Sequence, residues 1–518
     1  MTINELFLWI LYASVVIEIL ATSTTDRSTF SEYVLVTEYG AVRGKVKNIA
    51  GKDIVLYLGV RFAKPPVGTL RFKPPVVPDR WTSTVDAVTL SPACYQKKDD
   101  TFPGFWGAEM WNRNTPQSED CLFLNIWAPK DAKNASVMVW LFGGGFYYGS
   151  ASLDVYNGEG LAAKGDVIVV NVNYRVGAFG FLYLDHPDVP GNVGLLDQQL
   201  ALKWIQSNIA AIGGDPSKVT IFGESAGAAS VMAHMIAPDS RTLFRNGILQ
   251  SGAVQNPWAI DKPSRALLKS NAFIKNVGCS KATKRDSVRC LLAADAQTLS
   301  DKVWDHYDML YFMEFPLVVV SEDANFFKGR DVFDSLWAGD FKVNDVIIGL
   351  VSDEGTFWLS YNFPPEFGKD QTGIISRSKF ISLINKTLDR EPSVFKKASI
   401  YHYIGDTNAT VNAPIQQRNS VSNALNQLVG DYQFTCDALW FAHRLVKRGS
   451  KVYLYYFDFR VSSNPWPSWM GVMHGYEIEL IFGLPFVDAS NQFGNYTPRD
   501  REISNDMIKY WSSFANEG

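Results

Sequence analysis

The sequence predicts an α/β fold, with a large, mostly parallel central sheet covered by helices. Three observations carry this. Residues 137–142 (VMVWLF) and 167–173 (VIVVNVN) are largely apolar runs of strand length, which suits strands buried on both faces of a parallel sheet. Residues 196–212 (LDQQLALKWIQSNIAAI) set Leu196, Leu200, Trp204 and Ile212 on one helical face, and Gly213, Gly214 and Pro216 end that helix. A short strand at 219–223 (VTIFG) then runs through Ser225 into AGAASVMAHMI, a helix, so strands and helices alternate. Further strands are expected at 346–351 (VIIGLV) and 452–457 (VYLYYF).

The chain has 518 residues, 47% hydrophobic and 14% aromatic, without an internal repeat or a linker rich in Gly, Ser and Pro. One large domain over residues 24–518 is expected. Nothing in the formal net charge of −4 suggests nucleic-acid binding, which usually needs a basic face. The apolar run at 6–23 is short and interrupted by Glu18, so it reads as a signal peptide (1–23) rather than a membrane span. Secretion is supported by glycosylation sequons at Asn134, Asn385, Asn408 and Asn495. Five cysteines, Cys94, Cys121, Cys279, Cys290 and Cys436, leave one over in an oxidising compartment.

Gly223-Glu224-Ser225-Ala226-Gly227 is a Gly-x-Ser-x-Gly motif at a strand-to-helix junction. There a serine sits on a tight turn with its hydroxyl exposed above the sheet, the nucleophile elbow of α/β-hydrolases. Gly143-Gly144-Gly145 follows the strand VMVWLF, where backbone N–H groups can stabilise an oxyanion, and the N–H of Ala226 is the expected third donor. This fold class orders its triad as serine, acid, histidine. His186 precedes Ser225, His234 follows it too closely, and His306 precedes the acid candidates. His443 reads as a helix-surface residue and His402 as packed between tyrosines. His474, in the glycine-flanked stretch WMGVMHGYE after VYLYYF, is the candidate base. Asp353 and Glu354, directly after VIIGLV, are both candidates for the acid.

The chain resembles the cholinesterase branch of the type-B carboxylesterases, from about residue 38 to its end. The resemblance rests on SEDCLFLNIWAP (118–129), VWLFGGGFYYGSASLDVYNG (139–158), NYRVGAFGF (173–181), PGNVGLLDQQLALKW (190–204), FGESAG (222–227), VSDEGTFW (351–358) and WMGVMHGYEIELIFGLP (469–485). It implies a Ser225–Glu354–His474 triad, an oxyanion hole of Gly144, Gly145 and Ala226, and disulfides Cys94–Cys121 and Cys279–Cys290. It further implies hydrolysis of a cationic choline ester, acetylcholine, through an acyl-serine, with no metal or organic cofactor. A quaternary ammonium binds aromatic faces, because it can neither donate nor accept a hydrogen bond. The implied choline site is Trp111, Glu224, Phe357 and Tyr476, with Glu477 behind the histidine. Asp99, Tyr147 and Trp304 correspond to a peripheral site at the gorge mouth. Trp258, Met313, Phe315 and Trp358 correspond to the acyl pocket. Met313 stands where the family's second Phe is expected, so larger acyl groups should be accepted.

The chain stops at YWSSFANEG (510–518). The family continues there, with a last helix, a subunit contact and a partner for Cys436, so a homo-oligomer is expected only with that segment present. A cell-surface or synaptic location belongs to the same expectation. The alternatives are a general carboxylesterase, which would lack the cation-binding rings, and a neuroligin-like adhesion protein, which would have lost a triad member.

Overall fold

The computed structural model describes residues 33–305, 307–405, 415–487, 493 and 495–518. The expected signal peptide and the Asn408 sequon lie outside them. Nine strands make the central sheet: β1 (Lys45–Ile49), β2 (Lys52–Arg61), β3 (Phe123–Pro129), β4 (Ala135–Leu141), β5 (Ile168–Val172), β6 (Gly214–Glu224), β7 (Asn246–Gln250), β8 (Val346–Val351) and β9 (Val452–Phe457). Their spatial order is β9-β8-β7-β6-β4-β5-β3-β2-β1. From β9 to β5 the neighbours are parallel, and from β5 to β1 they are antiparallel. Every residue of β5 and β8 is buried, as their largely apolar runs imply, and so is every residue of β7 despite Asn246 and Gln250.

Helices cover the sheet. Those that matter for the site are α1 (Val193–Asn208), α2 (Ala226–Ile236), α3 (Pro263–Asn276), α4 (Glu354–Asn362), α5 (Cys436–Lys447) and α6 (Pro498–Glu517). The α2 helix is buried along its whole length against β6 and β7. The last helix, α6, opens on a Thr497/Asp500 capping box and is tied to the sheet by Ser136 Oγ donating to Ala515 O and Trp511 Nε1 donating to Gln250 Oε1.

Three sequence expectations need correction. Leu196, Leu200 and Ile212 are only half-buried, while Leu195, Ala201, Leu202 and Ile205 are fully buried together with Asp197, Gln198 and Gln199. Leu196 and Leu200 share the outward face of α1 with the exposed Lys203 and Ser207, so the apolar stripe does not mark the inner face. Gly213 ends the helical stretch in a left-handed conformation, but Gly214 already belongs to β6, which starts earlier than residue 219. The run VYLYYF forms β9 as expected, but at the sheet's edge, leaving Tyr453, Leu454 and Tyr456 exposed. His402 is exposed on the helix Ser393–Ile404, with its ring edge-on to Tyr403. His443 is exposed on α5, in agreement with the sequence.

The disulfides Cys94–Cys121 and Cys279–Cys290 are present, and Cys436 is a free, exposed thiol. Asn134, Asn385 and Asn495 are exposed. No helix of the described residues is long and apolar enough to cross a membrane.

One buried ion pair underlies the glycine loop after β4. Arg175 donates through Nε and Nη2 to both oxygens of Asp197, at 2.7 and 2.6 Å, and the Arg175 N–H adds a third bond at 3.0 Å. The adjoining residues hold that loop directly, with Tyr174 OH donating to Phe142 O and Gly177 N–H to Phe146 O. Removing one partner of such a pair strands a buried charge. Asp197→Asn should therefore destabilise the protein by about 3–5 kcal/mol, read as a lower denaturation midpoint in urea.

Candidate active site

Ser225 sits between β6 and α2 with φ 57° and ψ −121°, a conformation that only the surrounding packing can impose on a non-glycine residue. The bend is tight: a Cβ on Gly223 would lie 2.5 Å from the Gly227 carbonyl carbon. Across the elbow, Gly144 and Gly145 adopt φ 108° and 57°. Among the described residues their amides donate to no backbone carbonyl, whereas the Gly144 carbonyl accepts from Tyr147 and Tyr148 N–H. The amide of Ala226, first in α2, has no partner within the helix. Gly144, Gly145 and Ser225 line one cavity of about 440 Å³ with Trp111, Glu224 and His474.

Glu354 begins α4 just past the end of β8. Its Oε1 accepts the Val351 N–H at 3.0 Å, and its Oε2 lies 2.6 Å from His474 Nδ1. Asp353, which the residues alone left as an equal candidate, does not reach the histidine. It is used to hold the histidine's loop: Oδ2 accepts Val472 N–H at 2.9 Å and Ser352 Oγ at 2.7 Å, and Oδ1 accepts Asn426 Nδ2 at 2.8 Å. The Asp353 N–H also donates to Val472 O, and Thr356 Oγ1 and Arg460 Nη1 donate to the carbonyls of Met470 and Gly471.

His474 is 7% exposed. Its ring lies beside Phe434 and Trp358, at centroid distances of 4.6 and 5.5 Å. Nε2 is 3.0 Å from Glu224 Oε1, but the angle is not that of a hydrogen bond, and both atoms are without hydrogen-bond partners among the described residues. The contact is therefore one of charge, and no hydrogen bond joins His474 to Ser225 in this state. Such bonds commonly tighten only when substrate is bound. Burial opposes the imidazolium, but the charges of Glu224, Glu354 and Glu477 outweigh it and raise the His474 pKa. Burial likewise pushes the Glu224 carboxyl up, and it pushes Glu477 up to about 7. Glu477 stands behind the histidine, accepting from Gln250 Nε2 at 3.0 Å.

The predicted aromatic residues come together. Trp111 meets Tyr476 edge-on at 6.0 Å, and the Tyr476 hydroxyl is spent on Gly107 O and Trp466 Nε1. Phe357 packs on Trp358, Tyr361 and Trp466. A second cavity, of about 970 Å³, is lined by Asp99, Tyr147, Trp304, Met313, Phe315 and Trp358. Trp258 lines neither cavity and packs behind, against Phe315 and Phe434. The Cys94–Cys121 loop carries both Asp99 and Trp111, and Asn112 ties it internally by bonds to the Asp99 backbone.

Sequence reasoning missed several residues. Tyr361 donates to Asp99 Oδ2 at 2.7 Å, linking α4 to the rim. Tyr148 and Tyr156 line the inner cavity, and Phe434 and Trp466 pack against site residues. Tyr148 and Tyr156 stood inside a quoted motif. The others carried no local signal, because helices and loops distant in sequence bring them in.

Comparison with known proteins places this arrangement among relatives. A model of the carboxylesterase family matches residues 31–518. The chain is 46% identical to acetylcholinesterase 4 of Caenorhabditis briggsae, over 94% of this chain and 81% of that protein. It is 44% identical to acetylcholinesterase of Bungarus fasciatus, over 93% and 78% respectively. It is 40% identical to cholinesterase of Mus musculus, over 95% and 79%.

Because the Glu224 carboxylate favours the imidazolium, Glu224→Gln should lower the His474 pKa. The ring would then stay neutral to a lower pH, which an NMR titration of isotope-labelled histidine can follow.

Proposed function

The chain belongs to the carboxylesterase family, and from that premise we propose that it hydrolyses acetylcholine to choline and acetate, with Ser225 as nucleophile, His474 as base and Glu354 as acid. The family is one of carboxylic ester hydrolases. The observation that carries the choline ester is the inner cavity, where the Trp111 ring lies beside the Glu224 carboxylate. Among the described residues, no Lys or Arg stacks on Trp111, Phe357 or Tyr361, so these rings remain available to a ligand's cation.

In the proposed reaction, Glu354 accepts from Nδ1–H and leaves Nε2 as the proton acceptor. Ser225 Oγ passes its proton to Nε2 and attacks the acyl carbon. The oxyanion meets the amides of Gly144, Gly145 and Ala226. His474 returns the proton to the leaving choline oxygen, and an acetyl-serine remains. Water, deprotonated by His474, then releases acetate. The quaternary ammonium lies against Trp111, Phe357 and Tyr476 beside Glu224, while Asp99, Tyr147 and Trp304 receive it at the rim. Phe315, Trp358 and Met313 bound the acyl group, with Trp258 behind them. Met313 leaves room for acyl chains longer than acetyl. An extracellular location accords with the two disulfides and the exposed sequons.

Secreted protein should hydrolyse acetylthiocholine and butyrylthiocholine faster than phenyl acetate, and Ser225→Ala should abolish all three activities. Turnover of phenyl acetate alone would make the protein a general esterase. Glu354→Gln should lower kcat by about 10⁴-fold, while Asp353→Asn should keep most of the activity. The opposite ranking in steady-state kinetics would exchange their roles.

A further inference from the structure

A buried ionic cluster lies behind the acyl side of the site and has no part in the proposed chemistry. Arg265 and Lys269 are four residues apart on α3, hence on one face. Lys269 is 0% exposed. Its Nζ donates to the Phe315 carbonyl at 2.7 Å, pairs with Asp261, and lies 3.5 Å from Glu314 Oε1. Arg265 forks onto Glu314, with Nε to Oε1 at 2.8 Å and Nη2 to Oε2 at 2.5 Å, and also donates to Met309 O. Glu314 Oε2 accepts the Tyr311 N–H at 3.0 Å, and Arg390 Nη2 lies 3.8 Å from it. Burial would raise the Glu314 pKa, but the Arg265 bonds and the Lys269 charge prevail and hold it at about 2.

Glu314 sits between Met313 and Phe315. The Phe315 ring touches Tyr147, Trp258 and Trp358 and crowds the oxyanion loop, where a Cβ on Gly145 would lie 2.9 Å from it. Met313 holds φ 55°, a conformation costly for a side chain with a Cβ and kept only where the surroundings over-determine it. A buried ion cluster adds little net stability over a well-packed apolar one. What it supplies here is a fixed backbone under two side chains that face the acyl group.

On the reading of Ser225 as nucleophile, we propose that Lys269 and Glu314 are positioning residues that set acyl-chain selectivity, by locking residues 313–315 against the oxyanion loop. Neither touches substrate. Loosening the lock lets Phe315 and Met313 retreat and admits longer acyl chains.

The test compares kcat/KM for phenyl acetate and phenyl butyrate in the unmodified protein, Glu314→Gln, Lys269→Met and the milder Arg265→Lys, with active sites counted by a phosphonate that labels Ser225. The butyrate/acetate ratio should rise about tenfold in Glu314→Gln and Lys269→Met, and by less in Arg265→Lys. If Lys269→Met or Glu314→Gln is not secreted, a rise in Arg265→Lys still supports the lock. A ratio within about twofold of the unmodified protein in the variants that label fully, or an equal fall for both esters, overturns it. Neutral esters keep the outcome independent of choline recognition. If the unmodified protein hydrolyses neither ester and does not label, the Ser225 reading fails and takes this inference with it. A flat ratio in active protein removes the inference alone.

Discussion

An imidazole proposed to exchange protons, yet almost closed off from water, depends on the acceptors around it. His474 has Glu354 on one nitrogen, Glu224 facing the other, and Glu477 behind. The fold supplies this arrangement at a cost, since each of these carboxylates is buried. Much of the nearby structure keeps the ring in place. Asp353, Thr356 and Arg460 fasten the loop before it. Phe434 and Trp358 limit its tilt. The ring is held on the Glu354 side by a hydrogen bond, while Nε2 meets Glu224 by charge alone.

Two kinds of recognition share the adjoining space. Aromatic faces attract a cation through a quadrupole and ask for no hydrogen bond, so a group with no N–H can be bound away from water. The ester end instead needs donors, and in the proposed reaction these are the glycine-loop amides, which have no competing backbone acceptor among the described residues. The Cys94–Cys121 loop bears both Trp111, in the inner cavity, and Asp99, in the second one, with Tyr361 linking Asp99 to α4.

The parallel sheet was legible in the apolar runs, and β4, β8 and β9 fall within a residue or two of where those runs stood. The elbow was legible because Gly223, Ser225 and Gly227 answer a local steric demand. His474 could be reached by elimination among six histidines. Local reading reached its limit at Asp353 and Glu354. These neighbours differ only in how their side chains meet a loop more than a hundred residues away, and the choice came from family resemblance. The same limit hid Tyr361, Phe434 and Trp466, and it concealed the exposure of β9, because an edge strand and a central strand can share one apolar pattern.

The three residues proposed as the triad stand past the ends of β6, β8 and β9. Between Ser225 and His474 the chain must lay down β7, β8, β9 and the helices packed on them before the pieces can meet. Contacts so distant along the chain form late and slowly. No subassembly smaller than most of the sheet brings these three residues together, so on that proposal a partly folded chain would be catalytically silent even with much of its secondary structure in place. Recovery of turnover during renaturation would thus mark completion of the whole fold, and would lag behind the return of helical signal.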